Sequence, residues 1–413
     1  MENFKVYESG LKLVVKPMPG MFTVSMGIIV DTGSVNETAE NNGISHYIEH
    51  MMFKGTKTRS PFEISDGIDR LGSQINAYTA KENTCYYIKS TKENFAASAE
   101  ILADIFLRSV FDDEESVREK GVIKEEINMG EDTPEDLCLD LLAEAYFGSE
   151  GLGRPILGTA KNVDSFTKED IRAYMDKYYV PSNVVVSVAG NITFEEAEKV
   201  CDELFAPCFS APAEKPQAFV HGKTNSGSKL RVKDIEQAHI ALCLPAFPIG
   251  SPMAPAARIV NIVFGGGMSS RLFQIIREKY GLAYSVYSYV SQYARLGTFE
   301  ICAGVSPEKR DLAVECILEE IARLKKDGIT EAEFARGKEQ LRASFLMAQE
   351  STASQMLVYG KQLLALGELY DMNKRLAELD ACRMQDIDGA IAEIFTAKPA
   401  CATVGKARKK LKI

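Results

Sequence analysis

Two histidines and a glutamate within five residues are the part of this sequence best suited to chemistry. Residues 46–50 read His-Tyr-Ile-Glu-His, and the whole chain has only four histidines. If this stretch is helical, His46 and His50 project about 40° apart on one face, with Glu49 beside them. Two imidazoles so placed can bind one Zn²⁺, and the carboxylate can reach a water molecule on that ion. The motif therefore predicts a zinc hydrolase.

A catalytic zinc ion needs a third protein ligand, and the residues alone leave its identity open. His221 falls in a predicted linker and His239 at the start of a predicted strand in the second half, so neither is a natural candidate. Glu119 and Glu126 lie seven residues apart on a predicted helix at 113–130, so their side chains face the same way. The same helix could equally present a solvated acidic face.

Length, charge and cysteine content limit the class of protein. The chain has 413 residues, so two domains of roughly 200 residues each are expected. The formal net charge of −10 argues against nucleic acid or an anionic membrane as the main partner. No apolar run approaches the roughly 18 residues of a membrane span. Nine cysteines without a C-x-x-C pair indicate reduced thiols, and the N-terminus carries no targeting pattern, so a cytoplasmic location is expected.

Apolar periodicity and turn residues divide each half of the chain into helices and strands. In the first half we predict strands at 11–16, 22–30 and 184–189, a hairpin at 74–79 and 84–89, and helices at 44–53, 61–71, 94–108, 113–130, 134–147 and 167–178, with a last helix ending near 205. In the second half we predict strands at 239–244 and 400–404, a hairpin at 283–290 and 297–303, and helices at 253–264, 270–279, 307–326, 330–366 and 372–395.

The same order of elements in both halves predicts an α+β fold of two similar domains. Each domain is expected to hold an antiparallel-type sheet packed with helices and to form one half of a clamshell. The stretch 207–228 changes in composition and reads as a linker. It would separate an N-terminal zinc-binding domain at 1–206 from a C-terminal domain at 229–413.

The region around the histidines resembles a known family signature. Asp-Thr-Gly-Ser at 31–34 and Gly-Ile-Ser-His-Tyr-Ile-Glu-His-Met-Met-Phe-Lys-Gly-Thr at 43–56 look like the M16 (insulinase or pitrilysin-like) zinc peptidases, closest to the M16B processing-peptidase subfamily. The resemblance covers essentially the whole chain. It implies a third ligand about 80 residues after the first histidine, as the second member of an E-x₆-E pair. Glu126 fits that position, and the resemblance makes Glu119 an auxiliary carboxylate.

The resemblance also implies roles for residues outside the metal ligands. Glu49 would be the general base that takes a proton from water. Asn76 and Ala77 match an N-A-x-T motif on an edge strand, which can pair with an extended peptide. Arg277 and Tyr284 match an R-x₆-Y motif whose side chains hydrogen-bond the substrate. From the residues alone, Arg277 would read as an exposed charge on a helix.

The resulting expectation is a zinc-dependent endopeptidase with one Zn²⁺ per chain, acting on peptides or on unfolded or presequence-like segments. The resemblance implies a homodimer that encloses a chamber, and the net charge and the lack of a long apolar run argue against nucleic acid or membrane partners. A non-catalytic scaffold and a subunit that depends on a partner are the alternatives. Two histidines and a carboxylate also accept other divalent ions, so the metal depends on ligand type together with the family.

Overall fold

The computed structural model describes residues 3–209, 211–407 and 409–411. The strands are β1 (Phe4–Val6), β2 (Lys12–Pro17), β3 (Thr23–Val30), β4 (Gln74–Thr79), β5 (Thr84–Thr91), β6 (Val184–Gly190), β7 (Ser228–Val232), β8 (Ala238–Ala246), β9 (Ala283–Gln292), β10 (Gly297–Val305) and β11 (Ala400–Gly405). The α-helices are α1 (Ile44–Met52), α2 (Pro61–Arg70), α3 (Phe95–Arg108), α4 (Asp113–Asp132), α5 (Pro134–Phe147), α6 (Ala160–Ser165), α7 (Lys168–Tyr178), α8 (Phe194–Leu204), α9 (Ala254–Phe264), α10 (Arg310–Asp327), α11 (Glu331–Met347), α12 (Thr352–Leu366), α13 (Met372–Ala381) and α14 (Met384–Ile394). A π-helix covers Phe273–Lys279.

The chain forms two compact units, and neither is continuous in sequence. The first unit comprises Met1–Asn128, Arg154–Phe219 and Met347–Tyr370, and the second comprises Met129–Gly153, Val220–Leu346 and Asp371–Ile413. Helix α5 therefore belongs to the second unit and α12 to the first. The predicted domains at 1–206 and 229–413 are continuous segments, whereas the second unit contains Met129–Gly153 and the first contains Met347–Tyr370.

Each unit is built on one mixed sheet, and the two sheets share a strand order. In the first unit the order is β1-β2-β6-β3-β5-β4, with β2 parallel to β6 and the other pairs antiparallel. In the second unit the order is β7-β11-β8-β10-β9, with β7 parallel to β11 and the other pairs antiparallel. Apart from β1, the two patterns are the same. The predicted α+β class with two similar halves is confirmed.

The sheet of the first unit is covered on both faces, and alternation along β3 shows how. Met26 and Ile28 share one buried cluster with Tyr47 and Ile48 of α1. The intervening Gly27 faces α12 instead, because a Cβ there would lie 2.3 Å from the Met356 sulfur. Two helices that are far apart in sequence therefore enclose one sheet, and α1 is fixed by its apolar face.

Several predicted elements differ from the structure. The predicted helix 330–366 is two helices, α11 and α12, because the Ser351 side chain accepts a hydrogen bond from the Ser354 amide and starts a new helix there. The predicted helix 372–395 is divided between α13 and α14 near Arg383, whose amide donates to Asp386. The predicted helix 270–279 is mostly the π-helix. Strands β1 and β7 were not predicted. Within the described ranges, no helix is long and apolar enough to cross a membrane.

Candidate metal centre

Helix α1 begins at a buried carboxylate. Glu37 is only 3% exposed, and it accepts hydrogen bonds from the Gly43 amide at 2.7 Å, the Ser45 amide at 2.9 Å and the Asn42 side chain at 2.8 Å. Burial raises the pKa of Glu37, although these three donors favour its charged form. Gly43 takes a φ of 101°, which a side chain would disfavour. A carboxylate at a helix N-terminus satisfies free amides and complements the helix dipole, so the start of α1 is well determined.

Three predicted ligands converge within the first unit. The Nε2 atoms of His46 and His50 lie 3.6 Å and 3.4 Å from Oε2 of Glu126, and the three donor atoms fall within 4.8 Å of one another. Four ligands at about 2.0–2.2 Å around a tetrahedral zinc ion stand roughly 3.3–3.5 Å apart, so the observed spacing fits such an ion. Two nitrogens and one carboxylate oxygen are a donor set that zinc accepts, and it leaves one position open.

The protonation state of His46 also suits metal binding. Burial, together with the neighbouring charge of His50, lowers the pKa of His46 to about 3. A neutral imidazole is the form that binds a metal ion. Its Nδ1 atom is buried and has no hydrogen-bond partner within the described residues, so Nε2 is the nitrogen that meets the other two donors.

Glu119 contacts His50 at Nδ1, the ring nitrogen that does not face Glu126. Its Oε1 lies 2.8 Å from Nδ1 of His50, and its Oε2 lies 2.6 Å from Nζ of Lys54. Burial would raise the pKa of Glu119, but the hydrogen bonds to His50 and Lys54 hold it below its usual range. Burial would likewise lower the pKa of His50, but Glu119 holds it above its usual range. Lys54 was not among the predicted site residues, although it stands one helical turn after His50.

Glu49, the predicted general base, is partly buried beside the ligands. Burial raises its pKa, and a hydrogen bond from Thr79 opposes that shift. The Thr79 hydroxyl donates to Oε2 of Glu49 at 2.6 Å. Thr79 lies in the N-A-x-T stretch, but no pattern in the sequence indicates that its hydroxyl contacts Glu49. That contact depends on how α1 packs against β4.

Asn76 and Ala77 lie on β4, which is the last strand of its sheet. Asn76 is exposed, and its side-chain oxygen accepts a hydrogen bond from the Ala77 amide at 2.8 Å. One edge of β4 pairs with β5, and no strand pairs with its opposite edge among the described residues. An extended peptide could therefore add to that free edge through main-chain hydrogen bonds.

Arg277 and Tyr284 lie in the second unit, where the structure brings them together. The Arg277 guanidinium is 4.8 Å from the ring centroid of Tyr284 and 4.8 Å from that of Phe273. Two backbone irregularities accompany this contact. Arg277 lies on the π-helix, and Tyr284 occupies a bulge, because Ser285 pairs with Gly304 and Ala283 with Val305. Tyr284 is 77% exposed, as expected of a bulged side chain.

The other two histidines lie outside the unit that holds these three donors. His221 and His239 both belong to the second unit, and the His221 ring packs 4.8 Å from that of Phe147. Within 3–209, 211–407 and 409–411, no second trio of His, Cys, Asp or Glu brings its donor atoms together in this way.

Family models match most of the chain. The model described as insulinase (peptidase family M16) matches residues 13–160, and the model described as peptidase M16 inactive domain matches residues 165–341. The uncharacterized zinc protease YmxG of Bacillus subtilis is 41% identical over 400 residues, which are 96% of this chain and 96% of that protein. An uncharacterized zinc protease of Streptomyces coelicolor is 35% identical over 97% of this chain and 89% of its own length.

Solved structures share the fold at lower identity. A protease from Helicobacter pylori has a TM-score of 0.90 and 22% identity, covering 97% of this chain and 98% of that one. A Pseudomonas fluorescens protein described as a peptidase M16 inactive domain has a TM-score of 0.89 and 18% identity, covering 98% of both chains. At these identities the likeness concerns the fold alone.

Proposed function

This chain belongs to the M16 peptidase family, and from that premise we propose that it is a zinc-dependent endopeptidase of the M16B type. The observation that carries the proposal is the convergence of His46, His50 and Glu126 beside Glu49. The description of the relatives as zinc proteases supports zinc as the metal. We propose one Zn²⁺ per chain, since the described residues offer one such donor set.

The proposed reaction is the hydrolysis of a peptide bond. A zinc ion held by His46, His50 and Glu126 would supply Lewis acidity and lower the pKa of water toward neutrality. Glu49 takes a proton from the attacking water and returns it to the leaving amine.

We assign substrate contacts to two regions of the chain. The free edge of β4, at Asn76 and Ala77, would pair with the main chain of an extended substrate, which limits the enzyme to peptides and unfolded segments. Arg277 and Tyr284 would bind substrate by donating hydrogen bonds to its carbonyl oxygens. Their contact with each other supports this role, because it orders two long side chains before substrate binds.

We further propose that the enzyme acts in the cytoplasm as a homodimer. Nine free cysteines, of which only Cys208 is exposed, fit a reducing compartment. The dimer is what the family resemblance implies for a chain that carries both sets of site residues. Size-exclusion chromatography with light scattering tests it, and a species near 45 kDa that cleaves peptides would contradict it.

The alternative is a non-catalytic member of the family with a structural role, which the description "inactive domain" for part of the chain keeps in view. The experiment that separates the two is cleavage of a diverse peptide library by zinc-loaded protein, read by mass spectrometry. We expect cleavage that stops when a chelator removes the metal and returns with added Zn²⁺. A zinc-loaded protein that cleaves no peptide would favour the structural role.

A further inference from the structure

The contact between Thr79 and Glu49 joins two parts of the site that would otherwise be independent. Glu49 lies on α1, and Thr79 lies at the end of β4, which carries the proposed peptide-pairing edge at Asn76 and Ala77. The hydroxyl of Thr79 is 2.6 Å from Oε2 of Glu49, a length typical of a hydrogen bond to a charged acceptor. The same strand therefore touches both the base and the proposed substrate.

The alternation of side chains along β4 explains why Thr79 makes this contact. Tyr78 faces α12, where the Lys361 ammonium lies 4.8 Å from its ring centroid. The next residue must face the opposite side of the sheet, which α1 covers. The pleat thus directs Thr79 to the side of the sheet that α1 and Glu49 occupy.

The hydroxyl of Thr79 anchors one oxygen of the Glu49 carboxylate. Thr79 donates its hydroxyl to Oε2 at 2.6 Å, and the backbone amide of Thr79 also favours the charged carboxylate. A glutamate side chain has three rotatable bonds, so an anchored oxygen removes most of the alternative orientations that a partly buried carboxylate could adopt.

We propose that Thr79 is a positioning residue that holds the general base Glu49 in its working orientation. The inference rests on the proposed peptidase function and deepens it. Strand β4 sets the register of a paired peptide through its edge and the orientation of the base through Thr79. A peptide bond held by β4 would therefore meet a base that is fixed by the same strand, and the loss of that hydroxyl would affect turnover rather than peptide or metal binding.

The test compares Thr79→Val, which keeps the shape but loses the hydroxyl, with Thr79→Ser, which keeps the hydroxyl. The probe is an internally quenched peptide that the wild type cleaves. For Thr79→Val we expect kcat to fall roughly tenfold to a hundredfold, part of what a general base contributes, with KM changed less than about twofold. For Thr79→Ser we expect kcat within about threefold of the wild type.

Thr84→Val is the matched control. Thr84 lies directly opposite Thr79 on β5, and its hydroxyl donates to the Thr32 carbonyl at 2.9 Å, away from Glu49. The same chemical change there should lower the melting temperature and leave kcat within about twofold of the wild type. A loss of kcat as large as that of Thr79→Val would mean that any disturbance of the hairpin suffices, and it would overturn the inference.

A second readout does not depend on activity. Zinc content should stay the same in the wild type and in Thr79→Val. A fluorescein-labelled form of the same peptide should bind the zinc-loaded Glu49→Gln protein and the Glu49→Gln/Thr79→Val protein with equal affinity. Lost zinc, or weaker peptide binding in the double variant, would assign Thr79 a different role and contradict the proposal.

The remaining outcomes distinguish an error about Thr79 from an error about the proposed peptidase function. If the wild type cleaves peptides and Thr79→Val retains its kcat within twofold, only the role of Thr79 is wrong. If Thr79→Ser is as slow as Thr79→Val, the hydroxyl is not the cause and the inference is also wrong. If the wild type cleaves no peptide at all, the proposed function fails, and this inference fails with it.

Discussion

The Nδ1 atom of His50 lies 2.8 Å from Oε1 of Glu119, a carboxylate on a different helix. Because Nε2 of His50 points toward Glu126, this contact fixes the orientation of the imidazole ring and places its proton on Nδ1 when a metal occupies Nε2. The second oxygen of Glu119 contacts Lys54 at 2.6 Å. Lys54, Glu119 and His50 thus form a chain of charge-assisted contacts that ends at the candidate metal site.

This chain predicts that Lys54 strengthens zinc binding without touching the metal. Lys54→Met removes the ammonium that keeps Glu119 charged, so we expect zinc affinity to fall about tenfold, while Lys54→Arg should retain most of it. Competition with a chromophoric chelator measures the affinity. Lys57→Met is the control, because it makes the same change of charge at an exposed side chain nearby. Equal affinities for the two methionine variants would contradict the role of Lys54.

A second ion pair predicts how stability depends on pH. The Arg271 guanidinium donates to both carboxylate oxygens of Glu333, at 2.8 Å and 2.7 Å, and it lowers the pKa of Glu333 to about 2. Below its ordinary value of 4.5, the unfolded chain binds this proton more readily than the folded chain does. The stabilisation from Glu333 is therefore complete above about pH 4.5 and disappears as the pH falls toward 2.

Glu333→Gln should show this dependence directly. We expect its free energy of unfolding to lie below that of the wild type at pH 6 and the difference to shrink as the pH falls to about 2. Urea unfolding at a series of pH values makes the measurement. Glu331→Gln, at an exposed position on the same helix, should follow the wild type. A difference for Glu333→Gln that does not change with pH would show that the ion pair is not its source.

The packing of α12 on the first unit's sheet predicts an effect of substitution at Gly360. A Cβ at Gly360 would lie 2.4 Å from Cδ1 of Ile29 and 2.9 Å from Cβ of Ser187, so the helix would have to move away from the sheet. We expect Gly360→Ala to lower the free energy of unfolding by about 1–3 kcal/mol, the usual effect of overpacking. Urea unfolding measures it.

Gly121→Ala is the matched control, because Gly121 is also inside a helix but has open space where a Cβ would be added. Alanine favours a helix over glycine by about 0.5–1 kcal/mol, so this variant should be as stable as the wild type or more so. The packing of α12 against β3 and β6 would be wrong if Gly360→Ala were equally well tolerated.

Spacing in the sequence predicted that His46 and His50 lie close together, because helix geometry leaves little freedom between them. His46 and His50 lie on one helix, where four residues make about one turn. Helix geometry also predicts that Glu119 and Glu126 lie on one face of α4. Whether that face lies beside His50 depends on how α4 packs against α1. The residues alone left that open, and the family resemblance selected Glu126.

Contacts between segments that are distant in sequence could not be predicted from sequence patterns. The apolar pattern of α12 shows that one face is buried but not which sheet buries it, and α5 has the same ambiguity. Thr79 lies on a strand that was predicted correctly and Lys54 just after a predicted helix, yet their partners Glu49 and Glu119 lie on other elements. Tyr284 is exposed at a β-bulge, and the alternation of residues in the strand does not predict that bulge.

The most direct test of the proposed zinc peptidase site compares Glu49→Gln with Glu126→Gln. Zinc content and peptide hydrolysis are measured on the same samples. We expect Glu49→Gln to keep about one zinc ion per chain and to lose roughly a hundredfold or more in kcat, because its base is gone and its ligands remain. Glu126→Gln should lose zinc and activity together. A Glu49→Gln protein that cleaves peptides at the wild-type rate would contradict the assignment of Glu49 as the base in a zinc peptidase site.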